Sequence, residues 1–112
     1  MKRILAPILL LTLLFPSLAF GETMKDLVYR EGIYYKKFST VPFTGKVTGI
    51  YQGSFKDGKK HGPWVLYHGN GQLSHKGTYK DGEMDGPWVG YYPNGWVVNG
   101  LTGTFKDGVK VK

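Results

Sequence analysis

Three histidines, His61, His68 and His75, stand at an even spacing of seven residues. Imidazole is a common metal ligand, so a regular run of histidines first raises a metal centre. The pattern argues for surface histidines instead. Seven steps along a strand change faces; the turn between His68 and His75 puts that pair on one face but not opposite each other, and no cysteine completes a ligand set. At the three positions 24 residues further on the chain carries Asp85, Tyr92 and Asn99. Acid–base catalysis needs two carboxylates converging in a cleft. Asp57, Asp81 and Asp107 each precede a glycine, a turn setting in which the carboxylate bonds its own backbone. Glu83 and Asp85 share one connection, in water. Ser54 and Ser74 have no His–Asp partnership at any visible spacing. The glycines fall on a repeat period rather than in a phosphate-cradling loop. These residues predict no catalytic group, no metal site and no cofactor, and hence no enzyme.

Binding is a better use of the side chains present. Lys56, Lys80 and Lys106 each open a Lys-Asp-Gly turn and are expected to stack along one edge about 10 Å apart, two strand spacings. Lys59 and Lys60 add charge to the first turn, whereas Glu83 and Asp85 offset it in the second. Trp64 and Trp88 should stack at the same spacing and read as the spine of a sheet, packed on Leu66, Leu73 and Tyr79. Tyr67, Tyr91 and Tyr92 are then the aromatic groups left for contact. The predicted binding surface is Tyr67, Tyr91, Tyr92, Lys56, Lys59, Lys60 and Lys80.

These residues are positioned by a unit written twice between Gly53 and Leu101. Phe55 recurs as Tyr79, Lys56-Asp57-Gly58 as Lys80-Asp81-Gly82, Gly62-Pro63-Trp64-Val65 as Gly86-Pro87-Trp88-Val89, and Asn70-Gly71 as Asn94-Gly95, always 24 residues on. A third copy opens at Gly103-Thr104-Phe105, displaced by two inserted residues. Phe43 to Tyr51 reads as a shortened first copy, with Thr44-Gly45-Lys46-Val47 in the place of His61-Gly62-Pro63-Trp64. Self-similarity of this period marks a repeat architecture. Asn70-Gly71 and Asn94-Gly95 suit type I′ hairpins, and the Asp-Gly pairs mark connections between copies. Trp64–His68, Gln72–Tyr79, Trp88–Tyr92 and Trp96–Phe105 have strand composition. The expectation is an all-β, elongated antiparallel meander of hairpins. With Asn70-Gly71 as the turn, His68 faces Leu73, Leu66 faces His75 and Trp64 faces Gly77. One face then carries Trp64, Leu66, His68, Leu73, His75 and Tyr79, and the other Val65, Tyr67, Ser74, Lys76 and Thr78. Val109 to Lys112 reads as an edge strand protected by lysine.

Ahead of the repeats, Met1-Lys2-Arg3, an apolar run from Ile4 to Phe15, and small residues through Gly21 have the layout of a secretory signal peptide over residues 1–21. Its removal after Gly21 or Ala19 leaves 13 basic against 8 acidic side chains, net +5, a balance that favours anionic partners. Residues 22–40 are expected to form a short helix from Met24 to Glu31, with Thr23 and Asp26 as its capping pair, and a lead strand around Ile33–Phe38. Repeats then occupy residues 41–52, 53–76, 77–102 and, in part, 103–112.

The unit G-x-W/Y-K-D-G-K-x-x-G-P-W-x-x-Y-x-x-N-G-x-L resembles the MORN repeat in its bacterial variant form. The likeness runs over Gly53–Gln72 and Gly77–Gly95, with Pro42-Phe43-Thr44-Gly45-Lys46-Val47 as the opening, and departs from the pattern at Trp96 and Val97–Leu101. It implies a hairpin-repeat fold. It also implies an antitoxin-like role of the kind attached to bacterial YwqK-type proteins. In eukaryotic relatives such repeats are linked to phospholipid and to protein scaffolding. The residues and the resemblance together predict an exported, periplasmic or secreted, non-catalytic module that binds another protein. The alternatives are an immunity role, or attachment to anionic envelope lipid or glycan. With no base-reading motif, nucleic acid is not expected. The oligomeric state is left open.

Overall fold

The computed structural model describes residues 21–112; the expected signal peptide falls almost wholly outside them. The chain is mostly β-strand, and antiparallel pairing dominates. Turn chemistry sets the layout. Asp57, Asp81 and Asp107 have φ of 51°, 49° and 49°, and the glycines after them lie at 82°, 87° and 84°. Positive φ at both central residues is the type I′ turn, whose twist matches that of paired strands. Each turn closes a tight hairpin: β5 (Tyr51–Lys56) with β6 (Lys59–Lys60), β8 (Leu73–Lys80) with β9 (Glu83–Met84), and β11 (Gly103–Lys106) with β12 (Val109–Lys110).

The Asn-Gly pairs do something else. Gly71 and Gly95 are at positive φ, but Asn70 and Asn94 are not. Gly71 N–H donates to His68 O at 2.9 Å and His68 N–H to Gln72 O at 2.8 Å. Gly95 and Tyr92 repeat this with Tyr92 O and Trp96 O. These are three-residue loops, a type I turn followed by a left-handed glycine. Pro93, fixed at negative φ, fits the second turn position and could not enter a type I′ turn. The extra loop residue displaces the expected His68–Leu73 pair: Tyr67 pairs with Leu73, across a bulge after Leu66. Below the bulge, Leu66–His75 and Trp64–Gly77 pair as the sequence suggested.

The main sheet runs β1 (Glu22–Thr23), β4 (Gly45–Thr48), β5, β7 (Gly62–Tyr67), β8, β10 (Gly86–Gly90), β11, β12, with β6 on β5 and β9 on β8. Among the described residues only β1–β4 is parallel. The register repeats from copy to copy. Gly45, Gly62 and Gly86 pair with Phe55, Tyr79 and Phe105. Two residues on, Val47, Trp64 and Trp88 pair with Gly53, Gly77 and Gly103. Gly62 and Gly86, at φ of 92° and 94°, kink each chain into its next strand, a bulge that a side chain would strain.

Two further expectations are corrected. Met24–Asp26 is a single 3-10 turn and the chain then enters β2 (Leu27–Arg30), which pairs with β3 (Ile33–Lys36) as a separate hairpin. There is no helix to Glu31, because Leu27-Val28-Tyr29 finds strand partners in Tyr34-Tyr35-Lys36 across a Glu31-Gly32 turn at φ 50° and 85°. The capping residues remain, with Thr23 N–H donating to the Asp26 carboxylate at 2.9 Å. The second correction is Trp96–Phe105, which becomes strand only from Gly103. The two-residue insertion is taken up by a 3-10 turn, Asn99–Leu101, while Tyr91–Val97 is an isolated bridge.

The core is a line of aromatic rings. Leu27, Phe43, Val47, Phe55 and Trp64 are buried together. Tyr34, Phe55, Trp64, Tyr79 and Trp88 follow one another at centroid separations of 4.9, 5.2, 6.0 and 5.1 Å, the last three edge-to-face, the geometry the ring quadrupole prefers. Each indole lies flat on a glycine of the neighbouring strand. A Cβ on Gly53 would stand 2.2 Å from Trp64, and one on Gly77 2.1 Å from Trp88. The indole N–H groups donate to Ser54 O and Thr78 O, both at 3.0 Å.

Candidate binding surface

Side chains alternate across a strand, so the ring line fixes which residues lie on the opposite, back face. From β4 this face takes Lys46 and Thr48. From β5 it takes Gln52, Ser54 and Lys56, and from β7 Pro63, Val65 and Tyr67. Lys76, Thr78 and Lys80 follow from β8, Pro87 and Val89 from β10, and Thr104 and Lys106 from β11. Lys59, paired with Lys56, and Glu83, paired with Lys80, are on the same side. Six lysines thus share a face on which Glu83 is the only strand carboxylate among the described residues. Lys46, Lys56, Lys59, Lys76, Lys80 and Lys106 are all exposed.

The lysines border shallow grooves that recur with the repeat. One, of about 460 Å³, lies among Lys46, Thr48, Gln52, Ser54 and Pro63. The next, of about 320 Å³, lies among Pro63, Val65, Lys76, Thr78, Pro87 and Val89. Gln52, Gly53, Ser54 and Pro63 of the first correspond to Lys76, Gly77, Thr78 and Pro87 of the second.

Of the residues expected to bind, Lys56, Lys59 and Lys80 come together on this face. Tyr67 and Tyr91 stand at its far edge, half-buried. Two do not join them. Tyr92 is half-exposed at the second Asn-Gly loop, beside the exposed Trp96 and Val97. Lys60 pairs with Phe55 and so points to the ring side. A period of two puts neighbours on opposite faces, a rule that already separated Lys59 from Lys60 once the hairpin was placed. Lys46 and Lys76 were overlooked as binding residues because neither belongs to the Lys-Asp-Gly signature. Phe38 was overlooked too: it is fully exposed and left-handed, at φ 67°, in the turn after β3.

Family models, curated proteins and solved structures contain no match to this chain.

The histidines do not converge. A backbone carbonyl can only accept, so His68 Nε2, 2.8 Å from Tyr91 O, carries the proton and ties one copy to the next. Asn70 does the same, donating to Pro93 O at 3.2 Å. His75 takes its Ser74 neighbour at 3.0 Å and packs on Trp88. Burial, then the charges of Lys60 and His68, lower its pKa below the usual 6.5. His61 Nδ1 is 4.0 Å from Asp81. Among the described residues no three metal-ligating side chains cluster, and no helix is long and apolar enough to cross a membrane.

Proposed function

We propose that this chain is an exported, non-catalytic module of MORN-like hairpin repeats that binds an acidic segment of another protein along its lysine face. The observation that carries this reading is the gathering of six exposed lysines on one side of the sheet, against one strand carboxylate. The repeat makes the face periodic. Equivalent positions such as Ser54 and Thr78 are two strand spacings apart, about 10 Å, which is about three residues of extended chain. A segment in the polyproline II conformation, with three residues per turn at about 3.1 Å each, therefore turns every third side chain toward an equivalent groove. Acidic side chains at that interval would reach the lysines, with the intervening residues over Pro63, Val65, Pro87 and Val89. Charge complementarity of this type contributes on-rate and specificity, with strong salt dependence.

Capture of partners from the envelope fraction by the cross-linked chain tests the reading. One protein should recur, and its yield should fall when Lys76 and Lys80 become Gln. Enrichment of anionic lipid or wall material alone, with no recurring protein, would replace it with surface attachment.

A further inference from the structure

The ring side holds a cation that the lysine face cannot use. Lys60 Nζ lies 5.1 Å from the Trp64 ring centroid and 5.0 Å from that of Tyr79, within range of a cation–π contact with both. Among the described residues no carboxylate comes within 4 Å of it. Packing does not demand the charge, because the position 24 residues on is Met84, which pairs with Tyr79 as Lys60 pairs with Phe55. A thioether fills the site one copy later, and an ammonium fills it here.

The ammonium borders a cavity of about 360 Å³ whose walls include the rings of Tyr29, Tyr34 and Tyr79. Its floor is backbone, from Gly32, Gly58 and Gly82 of three successive tight turns. Glycine suits the turn at each position; a Cβ on Gly32 would meet nothing within 4 Å and one on Gly82 only Lys59, whereas Gly58 is packed against Ile33 and Pro42. The volume is at the lower end of small-molecule sites. Tyr34 and Tyr79 have pKa values raised, first by burial, so both phenols remain proton donors at neutral pH. Burial also lowers the pKa of Lys60, and an anion beside it would restore the charged form. Lys59 and Asp81 also line the cavity, and Asp81 is drawn toward His61.

We infer that this pocket binds a small aromatic carboxylate, with the carboxylate on the Lys60 ammonium and the ring against the tyrosine walls. The ammonium supplies the charge, the phenols supply further donors, and the flat walls select an aromatic body over an aliphatic one.

Titration calorimetry of the full chain with benzoate tests this, with benzyl alcohol and acetate as probes lacking one half of the match. Trp64 fluorescence provides a second readout. Saturable benzoate binding is expected, with acetate and benzyl alcohol each weaker by at least about ten-fold, about 1.4 kcal/mol. Lys60→Met should lose benzoate binding by a similar factor while its melting temperature stays at or above that of the parent, since Met is the residue of the next copy. Undiminished benzoate binding by Lys60→Met, or no saturable binding by the parent, would overturn the inference. Neither result decides the lysine face: of its six lysines only Lys59 also lines this cavity, and Lys60→Met leaves all six in place.

Discussion

Replacing Gly77 by Ala should be among the most damaging single-methyl changes in the chain. Gly77 is not at positive φ, so its backbone accepts alanine. The obstacle is Trp88, whose ring atoms would lie 2.1, 2.3 and 2.5 Å from the new Cβ. Real Cβ contacts are not that short, and the indole is 4% exposed and packed edge-to-face against Tyr79. It must tilt away from the strand. That forfeits its N–H bond to Thr78 O, about 1 kcal/mol, and strains the surrounding rings in the manner of an overpacked core, about 1–3 kcal/mol. The sum, about 2–4 kcal/mol, is a large part of the 5–15 kcal/mol typical of a domain. Gly69→Ala is the control. Nothing lies within 4 Å of its Cβ and its φ is not positive, so the change should be neutral or stabilise by about 0.4–1 kcal/mol through the unfolded chain. Urea melts followed by tryptophan fluorescence read both. Equal midpoints for the two variants would refute the claim that the glycines under the indoles exist for close approach.

Three further outcomes follow from the same geometry. Asp81→Gly should melt near the parent, whereas Asp81→Val should lose about 1–2 kcal/mol, because a β-branched residue cannot hold φ of 49° without strain; thermal denaturation of the pair checks this. His75 has a lowered pKa when folded, so the unfolded chain binds its proton first. Its contribution is therefore full above about pH 6.5 and is lost as the pH falls from there toward the folded pKa. Unfolding free energy measured from pH 8 to 5 should decline in that window, and His75→Gln should flatten the decline. Phe38→Gly should raise stability by up to about 1 kcal/mol, since it relieves a left-handed phenylalanine that is fully exposed; a lower melting temperature would show that Phe38 makes a contact in solution.

The repeat was legible because turn residues and aromatics recur in register, so the Trp64–Gly77 pair could be placed from spacing alone. What spacing could not supply was three-dimensional. Nothing local says that Trp64 lies on Gly53, because that contact depends on the neighbouring strand's register. Asn70-Gly71 carries the type I′ signal, yet Gly69 and Pro93 lengthen both loops and Pro93 forbids positive φ. The helix expected at Met24–Glu31 had its caps, but Glu31-Gly32 between two runs of strand formers was the stronger signal. Capping satisfies one turn, whereas a hairpin pairs both runs. Lys60 was grouped with Lys56 and Lys59 by proximity in sequence, and a strand separates such neighbours.

The proposed binding rests on the back-face lysines rather than on total charge. Fluorescence anisotropy of a proline-rich, polyproline II peptide with glutamate at every third residue decides it, with two variants of equal charge. Lys76→Gln with Lys80→Gln removes two back-face cations, and Lys25→Gln with Lys37→Gln removes two exposed ones near the start of the described residues. Salt-sensitive binding by the parent is expected, with a loss of at least about ten-fold, 1.4 kcal/mol, in the first variant, and little change in the second. Equal losses in both variants would contradict it and reduce the interaction to net charge.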